Sequence, residues 1–263
     1  MSVTERAAVP AYLAGLNEAQ RAAATYGARL DEAAGEAHEN APLLVIAGAG
    51  SGKTMTLAHR VAHLLAQGAD PARLLLLTFS RRAADEMTRR VARIAAQVSP
   101  RHAQLASAGF PWAGTFHSVG ARLLREYAAR IGIDPAFTIH DREDSADLIN
   151  LARHELGFGE KGRRFPLKGT CLSIYSATVN RCAPLGDVLR ATFPWCAEWE
   201  AELRQLFRAY VEAKQAQQVL DYDDLLLYWA QMVEDPELAA EIGARFGHVL
   251  VDEYQDTNAL QAA

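Results

Sequence analysis

Ala47-Gly48-Ala49-Gly50-Ser51-Gly52-Lys53-Thr54 follows four apolar residues, Leu43-Leu44-Val45-Ile46, and opens an amphipathic stretch from Met55 to Gln67. Apolar run, glycine-rich turn and helical pattern predict strand, loop and helix in that order. The residue types have a chemical reason. Gly48, Gly50 and Gly52 carry no Cβ, so their backbone N–H groups can press onto phosphate oxygens. The helix beginning near Lys53 turns its positive dipole end toward the same anion. Lys53 adds a full charge, and the Thr54 hydroxyl can ligate a magnesium ion. The spacing matches the phosphate-cradling pattern G-x-x-x-x-G-K-[ST] except for Ala47 at its first position. A glycine-rich turn that binds nothing accounts for the glycines but not for Lys and Thr after the last of them.

A phosphate loop of this type works beside other strands of a parallel sheet. Leu74-Leu75-Leu76-Leu77-Thr78-Phe79 is a continuous apolar run of strand length, as buried parallel strands are. Trp112 to Ser118 reads as a short strand ending in a turn. His248-Val249-Leu250-Val251 is a third strand, running straight into Asp252-Glu253-Tyr254-Gln255-Asp256-Thr257-Asn258. Paired acids at a strand end are what a magnesium–nucleotide site needs opposite its phosphate loop. Asp252 would hold the ion, usually through water. Glu253 would orient and deprotonate an attacking water. Adjacent strand residues face opposite ways, but a turn at the strand end lets both reach one site. Lys53 and Asp252 lie much farther apart than the ~30 residues of one βαβ unit. The helical remainder between them is too long for a crossover and reads as an inserted all-α subdomain. The expected organisation is an α/β lobe from 1–120 and 216–263, with the insert at 121–215.

Bulk composition bounds the class. At 263 residues, half of them hydrophobic and 22% charged, the chain is an ordinary globular sequence with ample core. Its three cysteines are an odd, widely spaced set without metal-ligand spacing, which suits a reducing cytoplasm. No apolar run approaches the length of a membrane span, and no signal-type core opens the chain. A formal net charge of -5 argues against coating DNA by bulk charge but leaves room for a local basic groove.

The remaining stretches are read locally. Tyr12 to Thr25 is predicted helical. Asn17 can cap it with Gln20 completing a capping box, and Gln20 is equally open to a binding role. Residues 28–40 are expected to be a loop or loose helical turn, and 99–109 a loop. In the helix from Arg81, Arg89 and Arg93 read as a solvated face paired with Asp85 and Glu86. Arg81 and Arg82 sit instead where strand hands over to helix, at the ligand-binding edge of an open sheet. Lys161, Arg163, Arg164 and Lys168 surround Phe165, either as a solvated loop or as a nucleic-acid contact with a stacking ring. Trp195 and Trp199 are expected in the helical core. Asp221 can cap a helix, with Asp223 and Asp224 favoured in its first turn by the dipole.

Taken together, these pieces resemble the UvrD/Rep/PcrA-type superfamily 1 DNA helicases. Leu16-Asn17-Glu18-Ala19-Gln20 is similar to that family's adenine-reading glutamine motif, and its phosphate loop also carries Ala at the first position. Leu77 to Ala84 resembles the T-F-T-N-K-A-A motif, with Arg81 and Arg82 where the pattern has Asn and Lys. Gly114 to Ser118 matches T-F-H-S, Leu220 to Leu226 is similar to D-F-D-D-L-L, and Val251 to Asn258 matches V-D-E-Y-Q-D-T-N. The resemblance implies a RecA-like P-loop NTPase fold, a parallel sheet flanked by helices, with an inserted all-α, DNA-contacting subdomain. It implies ATP and Mg2+ as cofactors. Gln20, Ala47, Gly48, Ala49, Gly50, Ser51, Gly52, Lys53, Thr54, Met55 and Gln255 would hold the nucleotide, Thr54 and Asp252 the metal, and Lys53, Asp252 and Glu253 would serve catalysis. Thr78, Phe79, Arg81, Arg82, Thr115, Phe116 and His117 would line the path of single-stranded DNA, including its junction with duplex.

The family also has a second RecA-like lobe after this point, which supplies an arginine to the γ-phosphate. The expectation is therefore an ATP-binding lobe of a DNA translocase which, as the 263-residue chain, binds Mg-ATP but unwinds nothing. A non-motor nucleotide- or DNA-binding module acting through a partner is the alternative. A small phosphate-loop kinase fits less well, because no acceptor-binding element is apparent.

Overall fold

The structure, a computed structural model, describes residues 9–27, 42–160 and 164–262. In chain order the elements are α1 Glu18–Thr25, α2 Lys53–Ala66, β1 Leu74–Thr78, α3 Arg81–Ala95, α4 Pro100–Ser107, β2 Ala113–Thr115 and α5 Phe116–Ile131. They continue with β3 Thr138–Ile139, α6 Arg142–Glu155, α7 Lys168–Asn180, α8 Leu185–Thr192, α9 Glu200–Gln217 and β4 Val219–Leu220. The last are α10 Tyr222–Glu234, α11 Pro236–Arg245, β5 His248–Val251 and α12 Ala259–Ala262. The chain divides into two compact units, Met1–Thr115 with Ile242–Tyr254, and Phe116–Glu241 with Gln255–Ala263.

The first unit is a parallel sheet flanked by helices, as the RecA-like reading requires. Its strand order is β2-β1-β5. β1 is the centre, buried along its whole length, pairing Leu76 with Ala113 on one side and Leu74 with His248 on the other. Both pairings are parallel, which demands a helical crossover, and α3 and α4 supply the one between β1 and β2. The α2 face of Val61, Leu64 and Leu65 and the α3 face of Met87, Val91 and Ile94 close over Leu74, Leu76 and Leu250. Both helices therefore bury apolar stripes of helical period, and α3 leaves its arginines outside. Arg89 and Arg90 bond Glu86, at 3.0 and 2.8 Å, and Arg93 lies 4.0 Å from the same carboxylate. The solvated-face reading of that stripe holds, with Glu86 as its acid.

Several local expectations change. The strand predicted over Leu43–Ile46 does not form. The segment is irregular and exposed, Ile46 to 87%, and no ladder joins it to the sheet among the described residues. An apolar run specifies a strand only through a hydrogen-bonded neighbour. The helix predicted from Tyr12 is a short 3-10 turn, Ala11–Leu13, followed by α1, which starts at its Asn17 cap. The predicted loop at 99–109 contains α4, because Ser99 caps it and Pro100 occupies its first turn. Residues 28–40 lie outside the described residues, as do Lys161 and Arg163.

The second unit is helical, with one two-residue parallel pairing of β3 and β4 that the sequence pattern did not announce. Ile149, Ile174, Leu189, Leu203, Leu206 and Tyr210 form its main core. Phe165 belongs to that core, 4% exposed between Phe158 and Trp199, so it stacks on protein rings and not on a base. Lys168 pairs with Asp147. Trp195, expected inside, is 67% exposed, because it falls in a 3-10 segment whose inward position is taken by Cys196. All three cysteines are free thiols, and burial pushes that of Cys171 up to about 12.

At the start of α10 the unit buries a charge cluster. The Lys214 ammonium, 3% exposed, donates to Asp221 at 2.7 Å, Asp224 at 2.6 Å and the Tyr175 hydroxyl at 3.2 Å. Asp221 and Asp224 also close a capping box, and Tyr210 donates to Asp221 at 2.7 Å. Burial, then the Asp221 charge, lifts the pKa of the Asp224 carboxyl against the pull of Lys214. Burial opposes the charge on Lys214, but the surrounding oxygens outweigh it and its pKa is raised. Removing the cation leaves two buried carboxylates uncompensated. Lys214→Met is expected to cost ~3–5 kcal/mol in urea unfolding. A loss under about 1 kcal/mol would contradict this account of the cluster.

Candidate functional site

The phosphate loop lies in the first unit, between the exposed segment 42–46 and α2. Gly50 and Gly52 adopt φ of +74° and +85°, and Gly52 is the left-handed N-cap of α2. A side chain at Gly52 would be strained by that φ, and its Cβ would also stand 3.1 Å from Gln20 Nε2. The loop is tightened by Ser51, whose hydroxyl donates to the Gly48 carbonyl at 2.7 Å. Lys53 is the first residue of α2, and its ammonium folds back onto the carbonyls of Ala47 and Gly48 at 2.9 and 3.1 Å. A full positive charge is thus held over the loop at the positive end of a helix. Met55 is exposed, two residues further along α2.

Opposite stands the end of β5. The Asp252 N–H donates to the Leu77 carbonyl at 2.9 Å, extending the β1–β5 ladder by one bond. Asp252 is 7% exposed, and its carboxylate accepts from the Thr54 hydroxyl at 3.5 Å and from the Glu253 N–H at 3.1 Å. Burial, then the Glu253 charge, raises its pKa from the ordinary carboxylate value. Glu253 takes a left-handed φ of +53°, a conformation that residues with a side chain seldom adopt. It stands in the turn that follows β5, next to Asp252. Such strain persists only where the surroundings impose it, and it gathers at functional sites.

Gln20 reaches the loop from α1. Its backbone N–H donates to Asn17 Oδ1 at 2.9 Å, its Oε1 accepts from the Asn17 N–H at 3.0 Å, and its Nε2 donates to the Ser51 carbonyl at 3.0 Å. The cap reading of Gln20 holds, and the same side chain also touches the loop at Ser51. The amide keeps one N–H and one oxygen lone pair for a further partner.

The residues read as a DNA path are placed unevenly. Phe79 is 39% exposed beside the N-terminus of α3, and Arg81 and Arg82 are exposed in its first turn. Cations at the positive end of a helix dipole are unfavourable without an anion nearby. Thr78 is buried at 2%, its hydroxyl donating to the Ser80 carbonyl, and Thr115 is the half-buried end of β2. Phe116, His117 and Gln255 belong to the second unit. There Phe116 is 6% exposed and tilted against Trp229, so it contributes packing. His117 meets Tyr222 edge-on at 5.5 Å, and burial lowers its pKa against the pull of Asp223. Gln255 is exposed. The sequence reading passed over Arg60, a cation two turns past Lys53 on α2. No local pattern marks it, because the carbonyls it bonds, those of Ala23 and Tyr26, lie on another element.

The donor set fits a hard divalent cation. A buried carboxylate with a raised pKa faces a hydroxyl, both oxygen ligands. No cluster of three or more His, Cys, Asp or Glu among the described residues could hold a metal by itself.

Comparison with known proteins bears on this geometry. A family model, the UvrD/REP helicase N-terminal domain, matches residues 30–263. The ATP-dependent DNA helicase UvrD1 of Mycobacterium bovis is 34% identical over 261 residues, covering 95% of this chain and 30% of that protein. DNA helicase II of Haemophilus influenzae is 34% identical over 220 residues, 83% of this chain and 29% of its own length. The ATP-dependent DNA helicase PcrA of Leuconostoc citreum is 34% identical over 222 residues, 84% of this chain and 28% of its own. The chain thus spans under a third of the length of these relatives. No helix among the described residues is long and apolar enough to cross a membrane. A phosphate loop facing a buried strand-end acid and a family match across most of the sequence lead to one assignment: the chain belongs to the UvrD/REP helicase family, in the part that forms the N-terminal domain.

Proposed function

We propose that the first unit binds Mg-ATP and that the protein is the nucleotide-binding portion of an ATP-dependent DNA translocase. The observation that carries this is the 3.5 Å approach of Thr54 Oγ1 to Asp252 Oδ1, between residues 198 apart in sequence. Both are oxygen ligands, and together they face the mouth of a loop built to hold phosphates.

In this reading the loop N–H groups and the α2 dipole hold the β- and γ-phosphates, and Lys53 leaves its carbonyl partners to lie along them. A magnesium ion, when bound by Thr54 and Asp252, would neutralise charge developing on the phosphoryl oxygens. Glu253, turned by its left-handed backbone, orients the attacking water and accepts its proton. Gln20 presents an amide N–H and an oxygen lone pair, which match N7 and the 6-amino group of adenine. Gln255, just past the acids, would join the nucleotide side.

The DNA side rests on Arg81, Arg82 and Phe79, exposed together where β1 hands over to α3. Two cations that local electrostatics disfavours suit a phosphate backbone, and an exposed ring beside them suits base stacking. Thr78 and Thr115 would act by holding the turns from which that path is built. The relatives are named DNA helicases, two of them ATP-dependent. We extend that activity to the protein containing this chain: hydrolysis coupled to movement on single-stranded DNA and at its junctions with duplex. A second RecA-like lobe would act as partner, a helical insert at 121–215 would contact DNA, and the work would be done in the cytoplasm.

Lys53→Ala is expected to weaken Mg-ATP binding by ~1.5–3 kcal/mol, about ten- to hundredfold, in a fluorescent-nucleotide titration. Glu253→Gln is expected to bind as the parent does while single-turnover hydrolysis falls ~10²-fold or more. Loss of binding in Glu253→Gln would refute the role given to Glu253.

A further inference from the structure

We propose that Arg60 is a positioning residue for base recognition. It clamps the C-terminal end of α1, and through that helix it sets Gln20 against the phosphate loop. The inference rests on the reading of Gln20 as the residue that recognises adenine.

The argument starts with α1 itself. It has eight residues, little more than two turns, and a helix that short has no stability of its own in water. Its N-terminal end is closed by the Asn17–Gln20 capping box. Its C-terminal end is not closed by the backbone: Tyr26 turns out with ψ of 127° and contributes no capping N–H. The orphan carbonyls of that last turn need donors. Arg60 supplies them from the neighbouring helix, with one guanidinium nitrogen donating to the Ala23 carbonyl at 3.2 Å and the Tyr26 carbonyl at 2.6 Å. A cation at the negative end of a helix is also favoured by the dipole.

The placement of Arg60 gives the clamp its consequence. Arg60 lies seven positions after Lys53 on α2, two turns along the same rigid helix. The helix that begins at the phosphate loop therefore also grips the far end of the helix that carries Gln20. Two further bonds complete the frame. Tyr12 OH meets His63 Nδ1 at 2.7 Å, and Arg21 donates to the Leu16 carbonyl at 3.0 Å, holding the chain that enters α1. Gln20 touches the loop at Ser51, so α1 is tied at one end to the loop and at the other to the helix that the loop begins. Without Arg60, α1 can pivot on its capped end. Recognition of a base by two hydrogen bonds tolerates only about 0.5 Å of misplacement. The phosphates, held by the loop itself, would not feel the change.

The test uses the 263-residue chain and three probes: fluorescent ATP, fluorescent GTP and inorganic tripolyphosphate. For Arg60→Met the preference for ATP over GTP is expected to fall on the order of three- to tenfold, the size of one hydrogen bond or a little more. Tripolyphosphate affinity is expected to stay within about twofold, which also reports that the loop is folded. Arg60→Lys keeps one cationic donor without the guanidinium fork and is expected to lie between. Gln20→Ala is expected to lose the same preference, and adding Arg60→Met to it to change nothing further. If Gln20→Ala abolishes the preference while Arg60→Met and Arg60→Lys keep it, the positioning role is overturned and the reading of Gln20 stands. If Gln20→Ala keeps it, the reading of Gln20 falls, and the proposal with it. If Arg60→Met weakens tripolyphosphate as much as ATP, Arg60 is a general support of the fold and the proposal is overturned.

Discussion

Parallel pairing of β1 with β5 is the constraint on which the rest of the nucleotide unit depends. Leu74 to Leu77 lie beside His248 to Val251 in register, and the Asp252 N–H adds one more bond to the Leu77 carbonyl. Entry into that ladder is guarded by Arg73, whose carbonyl accepts from Gly247 at 2.9 Å and whose guanidinium donates to Ala244 at 3.1 Å. Edge-on packing of Trp112 against Phe246 supports the same approach. Strand side chains alternate between faces, so a slip of one residue would send Asp252 to the wrong side of the sheet. Register, which is a backbone property, thereby decides where a carboxylate stands relative to the Thr54 hydroxyl.

Both units bury acids, but they treat them differently. In the helical unit Asp221 and Asp224 share the Lys214 ammonium and close a capping box, so charge is met by charge and the cluster is complete within the protein. In the sheet unit Asp252 has a hydroxyl and one backbone N–H as its bonded partners, beside a second acid. Desolvating a carboxylate without a bonded cation is costly, and a fold that accepts this gains from a cation supplied by a ligand. The same contrast marks the arginines of α3. Arg89, Arg90 and Arg93 converge on Glu86, whereas Arg81 and Arg82 form no ion pair among the described residues. Polar groups satisfied internally read as architecture, and those left short of a partner read as contact points.

Much of this was legible in the sequence. The leucine run of β1 is apolar on both faces and admits little except a buried parallel strand. The loop at 47–54 and the acids at 252–253 declare themselves by residue type at fixed spacing, and caps at Asn17 and Asp221 were plain from side-chain chemistry. What failed was whatever depends on a neighbour. Leu43–Ile46 has the composition of a strand without a ladder to join. Phe165 has the surroundings of a stacking ring but lies among Phe158 and Trp199. Trp195 has the size of a core residue but faces out, because the 3-10 segment that carries it does not keep a helical period. Arg60 and the left-handed Glu253 were invisible for the same reason. A tertiary cap and a strained turn leave no local pattern.

The central claim is that Thr54 and Asp252 act together on one metal ion bound with nucleotide. The most direct measurement is a double-mutant cycle in nucleotide affinity, Thr54→Ala and Asp252→Asn singly and combined, with Mg2+ and again with a chelator. The account predicts non-additive losses with Mg2+, the double variant binding little worse than the weaker single one, and near-complete loss of that coupling without the metal. Additive losses, or the same coupling in the chelator, would contradict it.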